Sequence, residues 1–350
     1  MRLVPTSGLQ DGDIIAKDII SDDGGMLLRA ATTFREAFKT KLIERDIKEV
    51  YIEDEISKGI EPVDIVTPTI RKKMAQDIRG EFDKLQNHLE LDTENLANVT
   101  QVLIEELGKK EVVCELADLK CNHLYTYEHC ISVAILAALV CDRLKFNLYL
   151  KEQIVMGALI HDIGKIILPK NILNKADRLS KEEYELVKTH TEVGYKMIKE
   201  IRALSAVTKL IVLCHHERED GSGYPLGKGE DLHIGTKIVA ACDLFHALIS
   251  DRCYRQGLPI NEVFKIAQTE KINPQIREVI EGTFAFYPVG SMVKLSTGQI
   301  GIVEKNFAQN IKKPLIRVIH NIESKDSSWY KMNLQEEADI YIVGRYEQKG

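Results

Sequence analysis

Leu159-Ile160-His161-Asp162-Ile163-Gly164-Lys165 ends an apolar helical run in a histidine beside an aspartate, then a glycine, then a lysine. Imidazole and carboxylate in adjacent positions can bind one divalent metal, and the second carboxylate oxygen can serve another. The glycine lets the chain leave the helix with no side chain in the way. The lysine puts a cation where a phosphate could sit. A His-Asp pair alone is weak testimony, so its weight depends on its company.

That company is spread over successive helices. His129 lies in Tyr127-Glu128-His129-Cys130, and His190 follows Ser180-Lys181-Glu182-Glu183, a capping-box pattern. Gly194 lies four residues past His190 on the same helical face, offering little bulk against a ligand. His215-His216-Glu217 end the run Leu210-Ile211-Val212-Leu213, and Asp243 interrupts Ile238-Val239-Ala240-Ala241-Cys242. Each group alone reads as a core histidine bonded to a carbonyl, or as a capping aspartate. Together His129, His161, Asp162, His190, His215, His216 and Asp243 would be costly to bury without partners, and metal coordination satisfies them economically. The donors are nitrogen and oxygen with no sulfur, which favours iron, manganese or zinc. The set exceeds what one ion takes, so a centre of two metals bridged by Asp162 is expected. Such a pair suits hydrolysis of a phosphate ester, clamping the phosphate and activating a bridging water or hydroxide. The loop Asp220-Gly221-Ser222-Gly223-Tyr224-Pro225-Leu226-Gly227 follows at once and is placed to shape a pocket mouth. Arg252 and Arg255 in Ser250-Asp251-Arg252-Cys253-Tyr254-Arg255 could fork onto phosphate oxygens or a guanine edge, or simply end a solvated helix.

The elements that must position these groups read as mainly α. Residues 112–286 are almost entirely helical, with helices expected over about 124–143, 149–161, 203–216, 234–251, 259–271 and 274–284. Residues 1–60 read as a small α+β module, regulatory in purpose. There Ile14-Ile15 and Met26-Leu27-Leu28 flank a Ser21–Gly25 turn, followed by a helix near 34–45 and a strand at 49–52. Residues 61–111 read as a charged helical segment with Ile70, Met74, Ile78, Phe82 and Leu85 on one face, for use as a linker, a homodimer contact or a flank of the next domain. Residues 287–350 read as a small β-rich module. At 350 residues, 44% hydrophobic and 29% charged, the chain is an ordinary globular protein of two or three domains. A net charge of −6 argues against coating DNA or RNA. No apolar run is long enough for a membrane span, and Met1–Thr6 lack the apolar stretch of a signal peptide. The seven cysteines contain no Cys-x-x-Cys and read as buried free thiols in a reducing cytoplasm.

Taken together, His129, His161-Asp162-Ile163-Gly164-Lys165, His190-Thr191-Glu192-Val193-Gly194, His215-His216-Glu217 leading into Gly223-Tyr224-Pro225, Asp243 and Asp251–Arg255 resemble the HD-GYP family, a bacterial branch of the HD metal-dependent phosphohydrolases. The resemblance spans about 129–255 and implies an all-helical HD core. It further implies hydrolysis of cyclic di-GMP to linear pGpG or on to GMP at a non-haem iron or manganese centre. Carried over, it assigns His129, His161, Asp162 and Asp243 to one metal, and Asp162, His190 and His215 to the other. His216 completes the second site or faces substrate. Asp162 and Lys165 would be the catalytic pair. Lys165 and Arg252 would meet phosphate, with Arg255 beside them, and Gly223, Tyr224 and Pro225 would border the pocket. Relatives with three metals carry a glutamate where this chain has Tyr125, so two metals are expected rather than three. Many relatives have an aspartate where this chain has His246, three residues past Asp243 and on nearly the same face. That departure keeps two alternatives in view: an HD-type hydrolase of another cyclic dinucleotide, and a signalling adaptor acting through protein partners.

Overall fold

The computed structural model describes residues 1–20, 25–45, 47–109, 113–114, 126–175, 177–250, 258, 260–320 and 328–346. The chain forms two compact units, one from Met1–Val63 with Ala285–Gly350 and one from Asp64–Phe284. Segments that the sequence lays out in line are therefore regrouped in space, the two ends of the chain sharing one unit.

In the first unit, strands β1 (Arg2–Pro5), β2 (Ile14–Ile15) and β5 (Glu49–Glu53) form an antiparallel sheet in the order β1-β5-β2, while β3 (Ile19–Ile20) pairs with β4 (Met26–Leu28). Ile14-Ile15 was expected to face Met26–Leu28 across the turn. It pairs instead with Ile52 and Glu53, because Ile15 joins the buried cluster of Val4, Leu42, Val50 and Ile52. The turn itself, residues 21–24, lies outside the described residues. Helix α1 (Lys39–Glu44) buries Leu42 in that cluster. The far end of the chain adds β6 (Met292–Leu295), β7 (Ile300–Lys305), β8 (Leu315–Ile319), β9 (Trp329–Asn333) and β10 (Ile342–Arg345), an antiparallel sheet in the order β10-β6-β7-β8-β9. Hydrogen bonds stitch the two ends together: Leu3 N–H donates to Gly290 O at 2.9 Å, and the buried Arg317 guanidinium donates to Lys58 O at 2.7 Å.

Among its described residues the named elements of the second unit are all helices: α2 (Pro68–Gln86), α3 (Thr93–Gly108), α4 (Thr126–Arg143), α5 (Leu148–Ile160), α6 (Lys170–Leu173), α7 (Lys181–Lys188), α8 (His190–Ile198), α9 (Ala206–Cys214), α10 (Ile234–Ile249), α11 (Ile260–Ala267) and α12 (Pro274–Glu281). Starts are chemically marked. Asn147 accepts from Leu150 N at 2.9 Å ahead of α5, Ser205 from Thr208 N at 3.0 Å ahead of α9, and Ser180 with Glu183 completes the expected capping box of α7. Helix α4 is buried on every side from Cys130 to Cys141, as expected of a central helix. Around it lie α2, α3, α5, α10 and α12. The apolar face of α2 is spent on this core, with Met74, Ile78 and Phe82 buried and the Phe82 ring 5.3 Å from that of Tyr127. No described helix is long and apolar enough to cross a membrane. Cys114, Cys130, Cys141, Cys214 and Cys242 are buried free thiols, while Cys121 and Cys253 lie outside the described residues.

After α5 the chain turns through the 3-10 segment Ile163–Ile167 and crosses the start of α8 at very short range. A methyl group on Gly164 would sit 2.0 Å from His190 O and 2.7 Å from Gly194 N. Gly194 therefore serves this backbone crossing; the expectation that it clears space for a ligand is corrected. Gly164→Ala must push α8, and His190 with it, away from Asp162. We expect a loss of about 3 kcal/mol or more in chemical denaturation. Gly80→Ala, in the exposed middle of α2 where an added methyl meets nothing within 4 Å, should instead gain about 0.5–1 kcal/mol.

Candidate metal centre

Three helix ends and two helix interiors deliver the polar groups to one place. His129 comes from α4, His161 and Asp162 from the end of α5, His190 from the start of α8, His215 and His216 from the end of α9, and Asp243 from α10. His161, Asp162, His190 and His215 are fully buried, while the side chains of His129, His216 and Asp243 keep 18%, 20% and 13% of their surface exposed. The centre therefore opens to solvent on the side of these three.

Asp162 lies between two sets of imidazoles. Its Oδ2 is 3.5 Å from Nε2 of both His129 and His161, and its Oδ1 is 3.4 Å from His190 Nε2 and 3.7 Å from His215 Nε2. His129 Nε2 is also 3.1 Å from Asp243 Oδ1, and His216 Nδ1 is 3.7 Å from Asp243 Oδ2. Among the described residues the potential ligand atoms fall into three close groups: Asp162 with His190, His215 and His216; His129 with His161 and Asp243; and the buried thiol of Cys130 with His161 and Asp162.

His161 and His215 are aimed by carbonyls of the helices they end, and His190 by a carbonyl of the preceding helix α7. His161 Nδ1 is 2.7 Å from Ala158 O, His190 Nδ1 is 2.6 Å from Val187 O, and His215 Nδ1 is 3.1 Å from Val212 O. A carbonyl can only accept, so each Nδ1 carries the proton and each Nε2 turns a lone pair to the centre. Two of those lone pairs, on His190 and His215, lie 3.2 Å apart, an arrangement with no hydrogen between them that a shared cation would satisfy. Asp162 Oδ1 is likewise buried with no hydrogen-bond partner among the described groups. Orphaned acceptors converging on one point fit a divalent metal.

The electrostatics agree. Burial keeps the imidazoles neutral, lowering His190 to about 4 and His216 to about 3, with His161 and His215 lowered as well. Burial works against charge on Asp162, yet Lys165 and the surrounding histidines hold its carboxyl well below the usual range. Lys165 Nζ donates to Asp162 Oδ2 at 2.6 Å, and burial of this ammonium is outweighed by Asp162 and Asp243, which raise it. Neutral imidazoles beside ionised carboxylates are the protonation states that metal binding requires.

The loop after α9 is pinned from beneath. Buried Glu217 accepts from Leu226 N at 2.6 Å and Gly227 N at 3.1 Å, and a methyl on Gly223 would sit 2.4 Å from Glu217 Cα. The Tyr224 ring consequently stacks on His216 at 4.8 Å and 27°. Lys188 Nζ lies 4.8 Å from the Tyr184 ring and 5.5 Å from the Tyr224 ring, a rim the sequence reading missed. Its one signal was the i, i+4 spacing of Tyr184 and Lys188 on α7. Glu217 was noticed only as the neighbour of two histidines; its task as a loop anchor needs the fold. Arg252, Arg255 and Tyr125 lie outside the described residues.

Residues 111–276 match the HD-domain family model. A cyclic di-GMP phosphodiesterase of Pseudomonas aeruginosa is 31% identical over 239 residues, covering 67% of this chain and 58% of its own length. A cyclic di-GMP phosphodiesterase of Thermotoga maritima is 34% identical over 183 residues, or 51% of this chain and 48% of its own length. A 3'3'-cGAMP-specific phosphodiesterase of Vibrio cholerae is 31% identical over 209 residues, or 57% and 48%. The chain thus spans about half the length of these curated relatives.

One prediction follows from the buried imidazoles alone. An unfolded chain binds protons at histidine near 6.5, whereas His190 in the fold resists them down to about 4. Between those values the unfolded state holds more protons, so stability falls as pH falls. Thermal midpoints of metal-free protein should drop as pH is lowered through that window, and His190→Gln should show a shallower drop; identical slopes for both proteins would contradict it.

Proposed function

The chain belongs to the HD-domain family through residues 111–276, and from that premise we propose that it is a metal-dependent phosphodiesterase hydrolysing cyclic di-GMP. The observation that carries this reading is Asp162, one oxygen of which faces His129 and His161 while the other faces His190 and His215. A carboxylate so placed is suited to bridging two ions, with His129, His161 and Asp243 completing one set and His190, His215 and His216 the other. The nitrogen and oxygen donors suit iron, manganese or zinc, the resemblance to the HD-GYP family selects iron or manganese, and Tyr125 in place of the glutamate of three-metal relatives favours a pair. When bound, such a pair supplies Lewis acidity toward a phosphoryl oxygen and a water nucleophilic at neutral pH.

The chain's own residues supply the rest. Lys165 holds Asp162 ionised and leaves two further ammonium hydrogens for a phosphate oxygen. Tyr224, fixed on His216 by the Glu217-anchored loop, offers a flat face at the opening against which a nucleobase can lie. Gly223 and Pro225 hold that face in position, and Arg252 and Arg255 are assigned to the phosphates and base edge. Bacterial cyclic dinucleotides share the phosphodiester ring that this arrangement would grip, and the relatives include phosphodiesterases of cyclic di-GMP and of 3'3'-cGAMP. The second reading is accordingly the same hydrolysis on another cyclic dinucleotide.

The test is metal analysis paired with chromatography of products after incubation with cyclic di-GMP and a panel of cyclic dinucleotides. Wild-type protein should carry metal and yield pGpG or GMP. Asp162→Ala should lose both, with activity down by about 1,000-fold or more, since both ions would lose a shared ligand. Chelated protein that turns over as fast as loaded protein would sink the proposal.

A further inference from the structure

One ligand to the centre is aimed differently from its neighbours. His161, His190 and His215 each point Nδ1 at a backbone carbonyl three residues earlier in the chain. His129 does not: its Nδ1 lies 2.8 Å from Nδ1 of His246, one turn along α10 from Asp243. Two imidazole nitrogens at that distance share one hydrogen, so one ring donates and the other accepts. His246 is fully buried, and its Nε2 lies 3.1 Å from the hydroxyl oxygen of buried Ser250, which is also 3.4 Å from its Nδ1. His246 belongs to none of the close groups of ligand atoms, so its task lies behind the centre.

We infer that His246 is a positioning residue, which selects the His129 tautomer able to bind metal. This rests on the metal-centre reading above. For His129 Nε2 to offer a lone pair toward Asp162 and Asp243, its hydrogen must sit on Nδ1. His246 Nδ1 must then accept that hydrogen and carry its own on Nε2, where the Ser250 hydroxyl oxygen accepts. Each ring nitrogen in the chain His129–His246–Ser250 thereby has a complementary partner or faces the centre, and no ring needs a charge. Without an acceptor at His246, the His129 hydrogen would settle on Nε2, where Asp243 Oδ1 stands 3.1 Å away, and the lone pair would face the wrong side. A carboxylate could do the same work only by adding a negative charge; the imidazole does it neutrally, using a serine one turn further along the helix.

The test uses full-length protein and zinc as a diamagnetic probe. His246→Phe preserves bulk but cannot accept, and His246→Asp accepts. Competition against a chromophoric chelator should show His246→Phe losing about 10–100-fold in affinity at one zinc site. His246→Asp should remain within a few fold of wild type, and thermal midpoints of the metal-free variants should confirm folding. Nitrogen-15 shifts of zinc-loaded wild type should report a protonated Nδ1 on His129, a measurement that needs no variant. Equal affinity of His246→Phe and wild type, equal weakening in both variants, or a bare Nδ1 on His129 would overturn the inference. Wild-type protein that binds no zinc, iron or manganese would instead overturn the metal-centre reading on which it rests.

Discussion

The cost of burying ionisable groups in an apolar helical core is the constraint on which the second unit depends. His161, Asp162, His190 and His215 have almost no exposed surface, and α4 beside them is buried on every side. In such surroundings an unpartnered carboxylate or imidazole costs several kcal/mol, so every nitrogen and oxygen must be placed. Backbone carbonyls take the outer nitrogens, Lys165 takes one oxygen of Asp162, and what remains is a set of lone pairs converging on one volume. A fold that meets this constraint on every outward side has left the inward side for a cation.

The same constraint explains the backbone. Helices ending at the centre expose unsatisfied carbonyls in their last turns, and the histidines there use those carbonyls as orienting acceptors. The Gly164–Gly194 crossing brings α8 against the turn after α5, close enough for His190 to reach the far oxygen of Asp162. Glu217, buried under its loop, takes two backbone N–H groups and so presents Tyr224 to the opening. Each device spends a local hydrogen-bonding need on the placement of a functional side chain.

The first unit depends on a related device. Arg317 is 3% exposed yet charged; Glu304 neutralises it, carbonyls of Ile56 and Lys58 accept from it, and Trp329 covers its face at 4.1 Å. This arginine ties the two ends of the chain by a mix of charge, hydrogen bonds and stacking.

How much of this was legible beforehand follows from physics. Periodicity, capping residues and the recurrence of His and Asp at helix ends are local properties, so the sequence by itself determined the helical core, most helix starts and the residues that meet at the centre. Helix ends are less sharply written: the segment expected over 259–271 stops at Ala267. Nothing local could say which oxygen of Asp162 faces which histidine, that Gly194 serves a crossing, or that Glu217 anchors the loop. Nor could it say that the two ends of the chain form one unit, since single hydrogen bonds across more than two hundred residues, such as Leu3 N–H to Gly290 O, leave no trace in either segment alone. His246 marks the boundary between the two kinds of knowledge. Its identity and its helical offset from Asp243 were visible in the sequence, but only the tertiary structure decided that its nitrogen meets His129, because that contact joins residues on different helices.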